Sequence, residues 1–205
     1  MRQKPTMRAL VLCEGQNDYR LLSKLFQGPI KTRRYALNQK SELIWMIHEE
    51  PPRHLPIVVE KGVGNLDENL KILISQMRSI PREATVLILR DTDIYTTDYL
   101  FQYYGKEIIE TRITTSFPTQ FRPTHRCEPP TTLSNTFAAF RCEINYMRSR
   151  RLVIHFYLVT PSLEDLLHIN PTQGPQEIEE TIQRLLTRED VQKLREDMLK
   201  ALQLT

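Results

Sequence analysis

The chain opens on a compact apolar run, Arg8 to Cys13, that stops abruptly at Glu14-Gly15 and reads as a short buried strand. Helical spacing follows: Asn17 can cap a segment in which Tyr19, Leu22, Leu25 and Phe26 recur until Gly28-Pro29 ends the pattern. Ser41 to His48 also reads as a helix. Pro51, Pro52 and Pro56 break the chain before a second strand, Ile57 to Glu60, which enters the turn Gly62-Val63-Gly64-Asn65. Asn65 is expected to cap the clearest helix, with Leu66, Leu70, Leu73 and Met77 on one face and Asp67 and Glu68 in its first turn, where the helix dipole favours them. Pro81 ends it. Thr85 to Leu89 is a third strand, and Asp98 to Tyr104 a short helix after it.

Beyond that point the periodicity thins. Ser116 to Ser134 is proline-rich and reads as a long loop. Leu152 to Val159 returns as a strongly apolar strand, and Thr160-Pro161-Ser162 opens a helix containing Leu163, Leu166 and Leu167. Two helices close the chain. One starts at Pro175 with Ile178, Ile182 and Leu185, and the next starts near Thr187 and Asp190 with Val191, Leu194 and Met198. Strands alternating with helices predict an α/β fold with a mainly parallel central sheet flanked by helices. The expected organisation is one α/β domain over residues 1–172 with a C-terminal helical extension, 173–205, packed on it.

Composition narrows the classes. With 205 residues and 40% apolar content the chain can bury one good core, and its apolar runs are too short to cross a bilayer. The basic start, Met1 to Arg8, precedes too few apolar residues for a signal peptide, so a cytoplasmic location is expected. Cys13, Cys127 and Cys142 are odd in number and lack Cys-x-x-Cys pairing, which argues against a disulfide framework and fits a reducing compartment. His125, Cys127, Cys142 and His155 lack the paired spacing of a zinc knuckle. The net charge is only +3, so any nucleic-acid contact must come from a local basic patch; Arg148, Arg150 and Arg151 form one candidate, and Lys31, Arg33 and Arg34 another. Tyr95, Tyr99, Tyr103 and Tyr104 have a spacing that suits a helix packed on the sheet, and core is the preferred reading over base stacking.

The chemistry-bearing positions are acidic. Glu14 and the pair Asp91 and Asp93 each follow an apolar strand at its C-terminal end, where parallel α/β sheets place their ligand sites. Asp91 and Asp93 leave the same face if strand geometry persists, and like charges that close repel unless a divalent cation neutralises them. Oxygen ligands of this kind suit Mg²⁺ or Mn²⁺. Arg90 sits beside the pair and can balance its charge or contact a phosphate. The turn beginning at Lys61 lacks the pattern of a nucleotide-binding loop and reads as a tight turn.

The stretch Leu10-Val11-Leu12-Cys13-Glu14-Gly15-Gln16-Asn17-Asp18, followed downstream by Leu87-Ile88-Leu89-Arg90-Asp91-Thr92-Asp93, resembles the two motifs of the Toprim family. That family includes catalytic domains of topoisomerases, bacterial primases, maturation ribonucleases and the overcoming-lysogenization-defect nucleases. More narrowly, the chain looks like small stand-alone Toprim-like proteins related to those nucleases, and Leu163-Glu164 fits the position of their later Leu-Glu pair. The resemblance covers roughly residues 8 to 168. It implies a compact Toprim-like fold and Mg²⁺-dependent phosphodiester cleavage, in defence or nucleic-acid processing. Asp91 and Asp93 would then hold the metal, Glu14 would serve as a further ligand or general acid/base, and Glu164 as a supplementary ligand. Asp18 would orient the helix start, with Arg90 and Lys61 in support. The alternative is a non-catalytic, Toprim-like binding or regulatory subunit that works with a partner such as an ATPase. A topoisomerase or primase would need domains for which 205 residues leave no room.

Overall fold

Almost every residue of the central strands is apolar, because a parallel sheet covered on both faces has no wet side. The computed structural model, which describes residues 8–37, 41–48, 54–168 and 173–203, has a seven-stranded sheet in the order β2-β3-β1-β4-β7-β6-β5. The strands are β1 (Arg8–Cys13), β2 (Thr32–Tyr35), β3 (Leu55–Val59), β4 (Glu83–Asp91), β5 (Thr124–Thr132), β6 (Phe137–Tyr146) and β7 (Arg150–Val159). The first five in that order pair in parallel, and β6 and β5 add antiparallel to β7 at one edge. The expected α/β fold with a mainly parallel sheet and C-terminal helices is what forms.

Alternate side chains of each central strand feed two cores. Leu10, Leu12, Val58, Val86 and Ile88 pack under α2 (Ser41–His48), α3 (Val63–Ser75) and a continuous helical stretch that runs through α4 (Thr97–Gln102), a π-helical segment (Tyr103–Glu110) and α5 (Thr111–Ser116). Val11, Cys13, Ile57, Leu87 and Leu89 face the other way, against α1 (Gln16–Leu25), α6 (Leu163–Leu167), α7 (Pro175–Leu185) and α8 (Glu189–Ala201). Arg195 of α8 donates from Nε to the Leu25 carbonyl at 2.8 Å, and the Tyr157 hydroxyl donates to Asp197 at 2.9 Å. The expected boundary at residues 172 and 173 has its first residue outside the described ones.

Three expectations need correction. The proline-rich stretch after Ser116 is not a loop throughout: it holds a 3₁₀ turn (Thr119–Phe121) and the edge strand β5. Pro129 and Pro130 fall where the register shifts between Glu128 and Thr131, and an edge strand tolerates prolines at such an irregularity because no further strand needs the N–H groups that proline lacks. Second, Cys127 and Cys142 stand directly opposite each other on β5 and β6 and form a disulfide. Antiparallel pairing supplied the proximity that sequence spacing hid, and the cysteine-based case for a reducing compartment goes with it. Only Cys13 is free among the described cysteines, and burial pushes its thiol pKa up. Third, helices α1 and α3 begin earlier than Asn17 and Asn65, capped by Gly15 and Gly62. Gly62 has φ +90°, a backbone conformation that glycine adopts without strain.

Among the described residues no helix is long and apolar enough to cross a membrane.

Candidate functional site

The C-terminal ends of β1, β4 and β7 meet at one rim of the sheet, and the acidic residues gather there. β1 ends at Cys13, so Glu14 stands at the strand exit; the chain after β3 wraps that exit, with the Glu60 N–H on the Cys13 carbonyl at 2.9 Å and the Gly62 N–H on the Glu14 carbonyl at 3.5 Å. Asp18 lies four residues after Glu14, 5% exposed, and its Oδ2 accepts the Gly15 N–H at 2.8 Å. That bond closes the first turn of α1 and gives Asp18 the orienting position expected of it.

β4 carries Arg90 and ends on Asp91, whose Oδ1 accepts the Leu163 N–H at 2.9 Å. The first N–H of α6 thus ties the β4 exit to the segment that follows β7. Backbone bonds continue the link: Thr92 N–H to the Val159 carbonyl and Asp93 N–H to the Pro161 carbonyl, both 2.9 Å. Asp93 does not continue the strand, because its φ is +51°, in the left-handed region that Asp tolerates better than most residues. The same-face relationship expected for Asp91 and Asp93 therefore gives way to a turn, with the Tyr95 N–H on the Thr92 carbonyl at 2.8 Å. Ser162 caps α6, accepting the Asp165 N–H at 3.1 Å. Glu164, in the first turn, accepts from the Asn17 side chain at 3.1 Å, which brings α1 and α6 together over the rim.

The electrostatics follow from burial and crowding. Glu14 is pushed up to about 7, first by burial and then by Asp91, Asp93 and Asp67, against the lowering influence of Arg90. Asp91 is pushed up to about 8 by burial, with Asp18, Glu164 and Asp93 adding to it and the Leu163 N–H opposing. Burial likewise raises Asp18 to about 7, with the charges of Glu164 and Glu14 contributing. These carboxyls resist losing their protons because each ionisation adds charge to an occupied neighbourhood. A divalent cation is the group that would relieve it, and one oxygen points to such a need: Glu14 Oε1 is buried and accepts no hydrogen bond. The donor set, all carboxylate oxygen, fits Mg²⁺ or Mn²⁺. Among the described residues, however, no three His, Cys, Asp or Glu side chains gather closely enough to hold a metal as they stand.

Arg90 is the counter-charge. It is 4% exposed, with Nε 3.6 Å from Glu14 Oε1 and Nη1 3.9 Å from Asp67 Oδ1, and it donates to the Tyr104 hydroxyl. Asp67 is a site residue that the sequence reading placed only at a helix dipole: it comes from the first turns of α3, is buried, and accepts the Tyr103 hydroxyl at 2.7 Å. Because α3 begins at Val63, Asp67 stands in its second turn and not in the first-turn position expected, and nothing in the spacing signals that this turn abuts Arg90.

Of the remaining candidates, Lys61 stays in the turn that meets Glu14, and the arginines lie away from the rim. Lys61 is exposed in the turn between β3 and α3, and its carbonyl accepts from Asn65 at 3.2 Å. Arg148 is exposed in the turn between β6 and β7. Arg150 donates to the Ile80 carbonyl, and Arg151 is held by Glu83 at 3.0 Å and Glu143 at 2.6 Å. Arg151 pairs with Glu83 at the start of β4, and eight residues of strand, about 26 Å, separate that end from Asp91. A cavity of about 410 Å³ lined by Glu83, Arg151, His155 and Asp197 belongs to that far region and not to the acidic rim. The tyrosines divide: Tyr104 is fully buried, whereas Tyr95 and Tyr99 are exposed, which corrects the core reading for those two. In comparisons with protein-family models, with curated proteins and with solved structures, nothing matched the chain.

Proposed function

We propose that the chain is a Toprim-like, Mg²⁺-dependent phosphodiester-cleaving protein that acts on nucleic acid. The observation that carries this reading is the crowding of Glu14, Asp91 and Asp93 at the exits of adjacent parallel strands, with Glu14 and Asp91 held well above the ordinary carboxylate range. Asp91 and Asp93 are the principal residues to hold Mg²⁺, or Mn²⁺ in its place, and Glu164 supplements them. A cation held there would supply Lewis-acid stabilisation of charge on a phosphoryl oxygen. Glu14, whose Oε1 accepts no hydrogen bond although it faces Arg90 at 3.6 Å, and whose pKa lies near neutrality, is suited to holding or moving a proton at the reacting phosphate, or to completing the ligand set. Asp18 fixes the α1 start beside it, and Leu163 N–H orients Asp91.

A second reading, a non-catalytic subunit that works with a partner such as an ATPase, draws on a specific observation: Arg90 already faces Glu14 and Asp67, and a fixed counter-ion can replace a metal. The test is cleavage of labelled DNA and RNA with Mg²⁺, Mn²⁺ or EDTA, comparing wild type with the Asp91→Ala, Asp93→Ala double variant. Metal-dependent cleavage lost in the variant is expected. No cleavage by folded wild-type protein with any metal would favour the subunit reading.

A further inference from the structure

Immediately after Asp93 the chain exposes an unusual amount of flat apolar surface. Ile94 is 90% exposed, Tyr95 42% and Tyr99 50%. The three tyrosines at positions 95, 99 and 103 form a ladder. Tyr95 and Tyr99 stack with centroids 4.8 Å apart and planes within 12°, and Tyr99 and Tyr103 follow at 6.3 Å and 9°. The inner end is fixed: the Tyr103 hydroxyl is tied to Asp67, and its ring meets the buried Tyr104 edge-on at 5.4 Å. Tyr104 in turn packs on Phe156 of β7 at 4.4 Å. The outer end is positioned as well, by the Tyr95 N–H on Thr92 and by Thr96, whose hydroxyl accepts the Tyr99 N–H at 3.2 Å. The ladder is therefore anchored in the core at one end and open to solvent at the other, where it meets the acidic rim.

We propose that the outer face of Tyr95, backed by Tyr99, is a stacking platform for unpaired bases, and that the acidic rim accordingly takes single-stranded nucleic acid. The inference deepens the phosphodiester reading above and rests on it. A set of parallel rings in register is what successive bases of a strand extend, since every base has a π face and stacking is tolerant of sequence. An apolar protein partner would have no need of parallel planes. Tyr95 is two residues from Asp93, so a strand whose bases stack there brings its phosphates to the carboxylates. Paired bases inside a duplex cannot reach the rings. Lys61, exposed in the turn that meets Glu14, offers a cation on another side of the rim.

The test is binding, measured in EDTA so that no cleavage is needed, by fluorescence anisotropy of labelled oligonucleotides. The probes are an oligothymidylate, an oligouridylate, an abasic strand of the same length and a blunt duplex. The expected result is that the base-bearing single strands bind about tenfold or more tightly than the abasic strand and the duplex. Tyr95→Ala with Tyr99→Ala should lose about tenfold or more for the base-bearing strands only, and Tyr95→Phe with Tyr99→Phe should bind as wild type. The DNA and RNA arms show which sugar is preferred. Equal binding of the abasic strand, an alanine variant that binds as wild type, or no binding by wild type would overturn the platform. Base-dependent binding by a protein that never cleaves would leave the platform standing and remove the nuclease reading. Metal-dependent cleavage untouched by the alanine pair would do the reverse.

Discussion

Arg90 Nε stands 3.6 Å from Glu14 Oε1, close enough for charge pairing, yet neither atom makes a hydrogen bond. The guanidinium therefore compensates Glu14 only in part, and burial outweighs it, leaving the carboxyl at about 7. Replacing Arg90 with Met should push Glu14 higher still and strand Asp67 beside it. Breaking a buried pair by removing one partner costs about 3–5 kcal/mol, so urea unfolding at pH 8 should show a loss of about 3 kcal/mol. Unchanged stability would mean that Arg90 is not the counter-charge of the rim.

The raised carboxyls give stability a definite pH dependence. Glu14, Asp18 and Asp91 bind protons more tightly folded than unfolded, where carboxyls titrate near 4. Below that value both states are protonated and nothing is lost. As pH rises from about 4 to about 8 the unfolded chain ionises first, so the folded state loses stability through that window. Thermal melts in EDTA should therefore show Tm falling by several degrees between pH 5 and pH 8. The Asp91→Asn variant should show a shallower fall, because that side chain no longer ionises.

Asp18 has a separable structural role. Asp18→Ala leaves the Gly15 N–H without its acceptor and should cost about 1–2 kcal/mol in denaturant unfolding. Asp18→Asn keeps an oxygen in place and should cost less. Because Asp18 is the largest of the charges raising Asp91, either change should also bring Asp91 down, which its side-chain carbon resonance would report in a pH titration.

The Cys127–Cys142 disulfide closes a loop of separation 15. A link of that span contributes about 3 kcal/mol through the unfolded chain's entropy. Reductant should lower the denaturation midpoint of wild type and leave the Cys127→Ala, Cys142→Ala variant, already lowered, unmoved.

The parallel core was legible because β1, β3, β4 and β7 are bare apolar runs, and an acid at the end of such a run has one place to go. Glu14 and Asp91 were found by that reasoning alone. Asp93 was found by residue type, but its left-handed backbone is set by the crossing to Pro161 and leaves no mark in the sequence. β6 does alternate, with Phe140, Cys142, Ile144 and Tyr146 on the buried face, but Arg141, Glu143 and Asn145 between them mask the run, and the prolines of β5 hide the strand on its outer side. Asp67 was hidden because an acid near a helix start looks the same whether it faces solvent or a buried arginine. The tyrosine spacing was ambiguous for a similar reason: positions four apart share a helix face, and only the tertiary fold decides that Tyr104 enters the core while Tyr95 and Tyr99 extend past the sheet rim.

The central claim is that the acids at the β1 and β4 exits form a divalent-cation site, and isothermal titration calorimetry of Mg²⁺ into the protein at pH 8 tests it directly. The account predicts saturable binding by wild type, with proton release as Glu14 and Asp91 ionise, and its loss in the Asp91→Asn, Asp93→Asn double variant. No binding by folded wild-type protein, or equal binding by the double variant, would contradict it.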